Sequence, residues 1–430
     1  MTVNLPRKTE TIIVGAGQAG LTMSWWLQQA GVEHVLIDRR TTLGGGWQDR
    51  WNAFRLVSPN WTASFPGHAY DGDDPHGFMP RDAIAQRVTG YAAAISAPVV
   101  TGVEVQRLSA APGGGFDLST DQGPIRAQRV VVATGSFHEP RIPEVAAQLP
   151  HRLVQLHTSA YGNESSLPPG AVLVVGTGQS GVQLAEELHD SGRHVILSVG
   201  SAGRVPRQYR GFDCLGWVAR LAVQGEEVGV TLPSVETLAD PRLRFAGNPH
   251  LSGHGGGHDT NLRQFAAEGM TLIGRIDSAA GERLRLSPDL AKNLAWADGF
   301  FDLKFRDLIE AFIAATKLDV PPDDRQPFAY EPEVLEEIDL AAVGVNSVLW
   351  TTGFRMDFSH WIDLPIFDDM GYPRQTRGVA EIPGLYFLGL VWQHNQGSAT
   401  LFGVNEDARY LAREMGLPTP NMDWKLPIPD

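Results

Sequence analysis

One cysteine, Cys214, is the only thiol in this 430-residue chain. An intramolecular disulfide is thereby excluded, and so is any redox centre made from a cysteine pair; a lone thiol fits a reducing compartment. Long apolar runs are missing as well, since no stretch approaches the roughly 20 residues that span a bilayer. The opening MTVNLPRKTE runs into an extended pattern without the apolar middle of a secretory leader, so a cytoplasmic location is expected. Positive charge is in deficit: 35 Lys and Arg stand against 49 Asp and Glu, a formal net charge of −14. Sequence-independent binding to nucleic acid or to an anionic membrane surface needs clustered cations and is not expected. The same charge leaves the substrate open, because a local basic patch can sit on an acidic protein. Low-complexity tails and charge runs are also absent.

What is present is an approximate internal duplication. TIIVGAGQAG (11–20) and AVLVVGTGQSG (171–181) are each a β-branched run, a glycine turn and the start of a helical pattern. LTMSWWLQQA follows the first and VQLAEELHDSG the second, and each leads into another apolar run, HVLID and HVILS. Strand, turn, helix, strand is the opening of a dinucleotide-binding βαβ unit. With 43 % hydrophobic residues, the chain is long enough for two or three domains of roughly 150 residues each.

Gly15, Gly17 and Gly20 form G-x-G-x-x-G: the first permits the turn, the second admits a pyrophosphate, and the third lets helix and strand pack. Asp38 ends the next strand, about 20 residues on, where a carboxylate accepts both ribose hydroxyls. In the second set, Gly176, Gly178 and Gly181 with Ser180 between them, the matching position is about Ser198. No carboxylate there opposes a 2′-phosphate, and Arg204 and Arg207 follow as candidate phosphate ligands. NADPH is therefore expected at the second fingerprint and FAD at the first. Arg210 fits a solvated or locally paired face equally well.

RVVVATG (129–135), closed by Thr134 and Gly135, and SVLWTTG (347–353) read as further buried strands. The expected fold is α/β, with two Rossmann-like domains, the NADPH domain inserted into the FAD domain. The expected boundaries are 1–150 and 336–430 for FAD and 151–335 for NADPH. Pro and Gly concentrations at 139–143 and 321–327 are the expected crossings. Trp25, Trp26, Trp350 and Trp361 read as core. His250, His254 and His258 have the spacing of one helical face, but the glycines of SGHGGGHD disfavour a helix, and a loop without metal is expected. Cys214 reads as a small packed hydrophobe.

With these residues in place, the chain resembles the bacterial flavin-containing monooxygenases (class B flavin monooxygenases). Within them it is similar to flavin-dependent monooxygenases and potassium-transport-associated flavoproteins, including relatives linked to nitrilase gene clusters. The likeness rests on IIVGAGQAGL, GGGW, RLVSPNWTASFPGHAYDGDDPHGFMPRD, VVVATGSF, VQLHTSAY, VLVVGTGQSG, HDTNLRQFAAEGMTLIGRI and GLYFLGL. It implies an oxidoreductase that uses FAD and NADPH to put one oxygen atom from O2 onto a small amine or sulfur compound through a flavin C4a-hydroperoxide. An NADPH oxidase releasing hydrogen peroxide and a non-catalytic flavoprotein of an ion-transport system are the alternatives, and a homodimer stays open as an assembly.

The likeness places Trp47 beside FAD and Asn60 near the reactive edge of the flavin. The alternative for Asn60 is to cap a turn after Pro59. The family motif F-x-G-x-x-x-H-x-x-x-[FYW] survives only in His157 and Tyr161, its first positions being His151 and Leu153. That departure points His157 to the interface between the nucleotide domains and away from acid–base chemistry. Trp392 and His394, in LVWQHNQG, fall in the loop expected to return to the flavin and line a substrate pocket.

Overall fold

The computed structural model describes residues 4–418 together with Leu426 and Ile428. Residues 1–3 and the remaining C-terminal positions of the FAD-binding assignment lie outside the described residues. The first part of the chain contains β1 (Lys8–Val14), α1 (Gln18–Gln29), β2 (His34–Asp38), α2 (Arg81–Ala94) and β3 (Val99–Thr101). A meander follows, β4 (Val105–Ala110), β5 (Phe116–Thr120) and β6 (Gly123–Val132), then the short β7 (Glu139–Pro140). The middle part runs through β8 (Val154–His157), β9 (Ala171–Val175), α3 (Gln179–Asp190), β10 (Val195–Ser198), β11 (Gln208–Tyr209), β12 (Phe212–Asp213) and α4 (Cys214–Gln224). It continues with α5 (Leu262–Ala267), β13 (Thr271–Ile273), β14 (Ile276–Ala280), β15 (Arg283–Leu286), α6 (Leu290–Phe301), α7 (Asp307–Thr316), β16 (Glu337–Asp339) and β17 (Val345–Trp350). The last part holds β18 (Phe354–Arg355), β19 (Gln375–Thr376), β20 (Val379–Ala380), β21 (Leu385–Phe387) and α8 (Val404–Glu414).

Two sheets organise these elements. The outer one has the order β19-β20-β21-β6-β1-β2-β3, with β5 and then β4 branching from β6. Its strands from β21 to β3 are parallel. The inner one, β13-β10-β9-β17-β8, is parallel throughout. Strands covered on both faces need continuous apolar runs, and AVLVV of β9 is buried at every position. Both sheets follow one plan: the strand after the glycine-loop helix lies beside the first strand, and a later strand flanks its other side. Both Rossmann-like units expected from the sequence are therefore present. A single apolar cluster joins them, running from α1 through Trp51 and Tyr161 to α3 and β9. Trp25, Trp26, Trp350 and Trp361 are all buried.

The chain leaves the outer unit through β7 and returns through β18, and these strands pair antiparallel, Phe354 with Pro140 and Arg355 with Glu139. The first crossing falls at the Pro-rich 139–143 segment, ahead of the expected limit at 150, since Leu149 and Leu153 already pack in the inner core. The second crossing corrects the sequence reading. β16 pairs with β15, and β17 lies between β9 and β8, so residues 337–350 belong to the middle unit. A buried strand advertises its hydrophobicity but not its neighbour, and VNSVLW reads equally well in either sheet. Among the described residues no helix is long and apolar enough to cross a membrane.

Candidate functional site: two glycine loops and the ground between them

The first loop joins β1 to α1. Gly15 has φ +107°, and a Cβ there would stand 2.5 Å from the Ala133 carbonyl oxygen. A Cβ on Gly20 would lie 1.9 Å from the Gly15 oxygen, so the helix rests on its own turn. Gly17 differs: the nearest atom to its Cβ position is the Gly45 Cα at 3.8 Å, leaving room above the loop. No side chain caps α1, and no acidic residue occupies its first turn, so its N-terminal N–H groups are free to meet an anion. Asp38 closes the site, accepting the Ala16 N–H (2.8 Å) and the Arg40 N–H (2.9 Å), one on each carboxylate oxygen. Each oxygen keeps a lone pair for a sugar hydroxyl. Trp47 is half-buried, and its indole donates to Gln18 Oε1 (3.0 Å) at the head of α1. Thr134 and Gly135 follow β6 past Ala133, on the flank of the same turn. These residues fit the pyrophosphate and ribose of FAD.

The second loop repeats the design. Gly176 has φ +106° and sits against the Thr351 carbonyl oxygen, 3.0 Å from its Cβ position. A Cβ on Gly181 would lie 2.1 Å from the Gly176 oxygen, while nothing lies within 4 Å of that of Gly178. Ser180 is half-buried in the first turn of α3, which is also uncapped and without acid. Ser198 ends β10 with its hydroxyl donating to the Gly274 carbonyl (3.0 Å). Thr177 Oγ1 accepts the Gly200 N–H (3.0 Å), tying the loop to the turn after β10. His250 is buried behind this turn, and burial pushes its pKa down to about 4.

The two arginines part company. Arg204 keeps some exposure and stands 3.2 Å from Asp298 and 3.9 Å from Asp259. Arg207 corrects the expectation of a phosphate ligand: it is buried, with Nη2 2.5 Å from Asp213 Oδ2. Its Nη1 donates to the carbonyls of Val57 (2.9 Å) and Ser252 (3.2 Å), and its guanidinium covers the Phe78 ring at 4.6 Å. Turning it toward a nucleotide would strand a buried carboxylate. Arg210 pairs with Glu310 (2.9 Å).

Asn60 does not cap its own turn. Its Nδ2 donates to the Asp74 carbonyl (2.9 Å) and its Oδ1 accepts the Met79 N–H (2.6 Å), clipping the 74–79 segment onto the SPNW turn. His157 ends β8. Its Nε2–H donates to the Gly353 carbonyl (2.9 Å), and its Nδ1 accepts the Ser159 N–H (3.2 Å), which fixes a neutral tautomer. Burial holds its pKa below the usual histidine value, and Phe354 meets the ring edge-on at 4.8 Å. The ring thus binds the return crossing.

Trp392 and His394 lie on the loop between β21 and α8. Trp392 takes φ +53°, a left-handed conformation uncommon for an aromatic residue. The His394 carbonyl accepts the Val235 N–H of the middle unit (2.7 Å), and farther on the Ala399 carbonyl accepts from Gln18 Nε2 (3.2 Å). The loop therefore reaches both units and the head of α1. Beneath it lies buried Asp407, 3.5 Å from Arg377, its pKa raised to about 7 by burial. The three histidines do not share a helical face. His254 sits in a three-residue turn before Gly257, His258 binds Glu186, and His250 is enclosed. Among the described residues no group of three potential metal ligands converges.

Sequence reasoning missed Phe78 and Asp213, which gather around Arg207, and Phe212, which lies under the Arg220 guanidinium. Asp213 before the helical pattern CLGWVARLAV was a readable cap signal, and its side chain does accept the Leu215 and Gly216 N–H groups.

Comparison with known proteins follows the same lines. Residues 12–210 match the pyridine nucleotide-disulphide oxidoreductase family. A CzcO-like oxidoreductase of Geobacillus kaustophilus is 31% identical over 408 residues, covering 94% of this chain and 98% of that protein. The indole-3-pyruvate monooxygenase YUCCA1 of Oryza sativa is 28% identical, over 94% of this chain and 90% of its own. Among solved structures, a flavin-containing monooxygenase from Stenotrophomonas maltophilia has the same fold at 20% identity and a TM-score of 0.64, covering 96% of this chain and 99% of that one.

Proposed function

The chain belongs to the CzcO-like oxidoreductases of the bacterial flavin-containing monooxygenase family, and on that premise we propose that it is an NADPH- and O2-dependent monooxygenase acting on a small soft nucleophile, a sulfur compound or an amine. The observation that carries this reading is the pair of glycine loops, each with an open middle glycine at an uncapped helix N-terminus. In a chain without a second thiol, electrons delivered at one loop have the nucleotide at the other as their acceptor. The one cysteine is fully buried and its thiol is pushed upward by that burial, which keeps it unreactive.

When bound, FAD supplies the redox chemistry, taking hydride from NADPH and passing electrons to dioxygen. Gly15, Gly17, Gly20, Asp38, Trp47, Thr134 and Gly135 would hold it. Gly176, Gly178, Ser180 and Gly181 would hold NADPH, with Arg204 the exposed cation available to its 2′-phosphate. Asn60 keeps the 74–79 segment closed over the SPNW turn, and neutral His157 keeps the return crossing in place. Trp392 and His394 sit on the loop that ties the head of α1 to the middle unit.

The test is to reduce the enzyme anaerobically with NADPH, then admit oxygen with benzyl methyl sulfide present. Flavin bleaching within seconds followed by formation of the sulfoxide is expected. Bleaching with peroxide as the sole product would make the protein an NADPH oxidase, and absence of bleaching would leave a non-catalytic flavoprotein.

A further inference from the structure

Arg207 gathers four separate segments around one guanidinium: Val57, Ser252, Asp213 and Phe78. Beside it opens a cleft of about 330 Å³ bounded by Trp61, Phe78, Phe212, Arg207, Asp213 and Gly257. Its walls come from both units. Gly216 of α4 lies against Trp61, with its Cβ position 3.5 Å from the indole. Gly257 lies against Phe78, where a Cβ would be 2.3 Å from the ring. At Gly257 the missing Cβ lets the backbone close onto the ring, while at Gly216 a side chain would meet the indole in ordinary contact. Asn60 stands between two residues of this wall, Pro59 and Trp61.

We propose that this cleft binds the oxygen-accepting substrate, that it takes flat aromatic molecules which are neutral or anionic, and that it turns away ammonium ions. The inference rests on the monooxygenase reading above and narrows it. A volume of this size at the junction of two domains suits a ligand of one or two rings, and the aromatic walls favour stacking. The charge preference follows from what the walls have already used. An ammonium ion would seek the negative ring faces or a carboxylate. Guanidinium groups already cover Phe78 (Arg207, 4.6 Å) and Phe212 (Arg220, 5.2 Å). Among the described residues Asp213 is the one carboxylate in the wall, and it is bound to Arg207 and to the Leu215 and Gly216 N–H groups. An amine protonated at neutral pH meets here two rings that already carry a guanidinium and a carboxylate that is already bound, whereas a thioether needs neither. Sulfur compounds are thus favoured over amines.

Three probes with one ring and three charges decide it: benzyl methyl sulfide, phenylacetate and benzylamine. Each is titrated into the oxidised, FAD-loaded enzyme and followed by tryptophan fluorescence and flavin absorbance, so binding is read without turnover. The sulfide and phenylacetate are expected to bind at least about tenfold more tightly than benzylamine. Trp61→Ala and the milder Phe212→Leu should each weaken that binding by roughly three- to tenfold and leave the NADP+ dissociation constant unchanged. Benzylamine binding as tightly as the others overturns the charge preference. Undiminished binding in both variants overturns the location, as does product formation without binding in the cleft. Tight binding with no sulfoxide overturns the monooxygenase reading while leaving the site and its preference standing.

Discussion

In the outer unit β2 ends in Asp38, a carboxylate that takes two backbone N–H groups; in the inner unit β10 ends in Ser198, a hydroxyl that gives its proton to the Gly274 carbonyl. The loops before these strands are otherwise built alike, with a first glycine at φ near +107° against a carbonyl, an open second and a tightly packed third. The difference shows how one cradle serves two nucleotides. The phosphate grip is common to both, and discrimination lies at the tip of the next strand, where a carboxylate repels a 2′-phosphate and a serine does not. On the proposed assignment charge for that phosphate would come from Arg204, which of the two nearby arginines keeps exposure.

Breaking the two cradles separately should give the largest effects. Gly17→Val fills the room over the first loop, and we expect colourless or aggregated protein; Gly178→Val should keep its yellow colour but lose most of its NADPH-driven bleaching. Flavin absorbance relative to protein, and the reduction rate, read the two outcomes. A yellow Gly17→Val protein with full FAD content would remove the first assignment.

The arginines sharpen the comparison next. Arg207→Ala leaves Asp213 buried and unpaired, a loss on the order of 3–5 kcal/mol. Its melting temperature should fall, with NADPH and NADH use impaired to the same extent. Arg204→Ala should instead raise the NADPH Michaelis constant by about tenfold and scarcely change that for NADH, since one charged hydrogen bond is worth roughly 1.5–3 kcal/mol. Parallel kinetics with both nucleotides separate the two roles.

Asn60→Ala tests the ground between the units. FAD binding and reduction by NADPH should persist, while peroxide released per NADPH rises about two- to threefold as the 74–79 segment loses its clip, each lost bond costing ~1 kcal/mol. A peroxide assay with substrate present would show an unchanged ratio if Asn60 only shapes the turn.

The smallest expected effects lie in the pH dependence of stability, and here the two units oppose each other. Burial raises Asp407 of the outer unit from 3.8 to about 7, so the unfolded state sheds its proton first and stability is lost as pH rises from 3.8 to about 7. Burial lowers His250 of the inner unit from 6.5 to about 4, so the unfolded state takes the proton first and stability is lost as pH falls from 6.5 toward 4. Asp407→Asn should remove the fall in melting temperature as pH rises from 3.8 to about 7, and His250→Gln the opposing rise between about 4 and 6.5. Identical profiles in the wild type and both variants would show that neither group titrates as its burial implies.

Much of the fold was legible because its signals are local. Glycines at fixed spacing between a β-branched run and a helical pattern announce both cradles, and Asp38 announces its own place. The return crossing was not legible, because β17 owes its position to partners far away in sequence and carries no mark of which sheet receives it. Arg207 failed for a related reason: its charge is visible in the sequence, but its counter-ion and the carbonyls that hold it come from three other segments. The substrate cleft was hidden in the same way, since Phe78 and Phe212 are ordinary aromatics until the fold brings them to the walls of one cleft. Asn60 and His157 were noticed by position, yet what each one holds, the 74–79 segment and the Gly353 carbonyl, emerged only from tertiary geometry.

The pairing of β7 with β18 has a consequence for how such a molecule can be taken apart and rebuilt. The inner unit enters and leaves through one doorway, with Pro140 opposite Phe354. Its two ends are therefore neighbours, as in a cassette held by adjacent seams. A short peptide joining the chain before Glu139 to the chain after Arg355 would leave every parallel strand of the outer sheet in place, because β1, β2, β3, β6 and β21 all lie outside the seams. A foreign domain with neighbouring termini could be spliced into the same doorway without re-threading the rest.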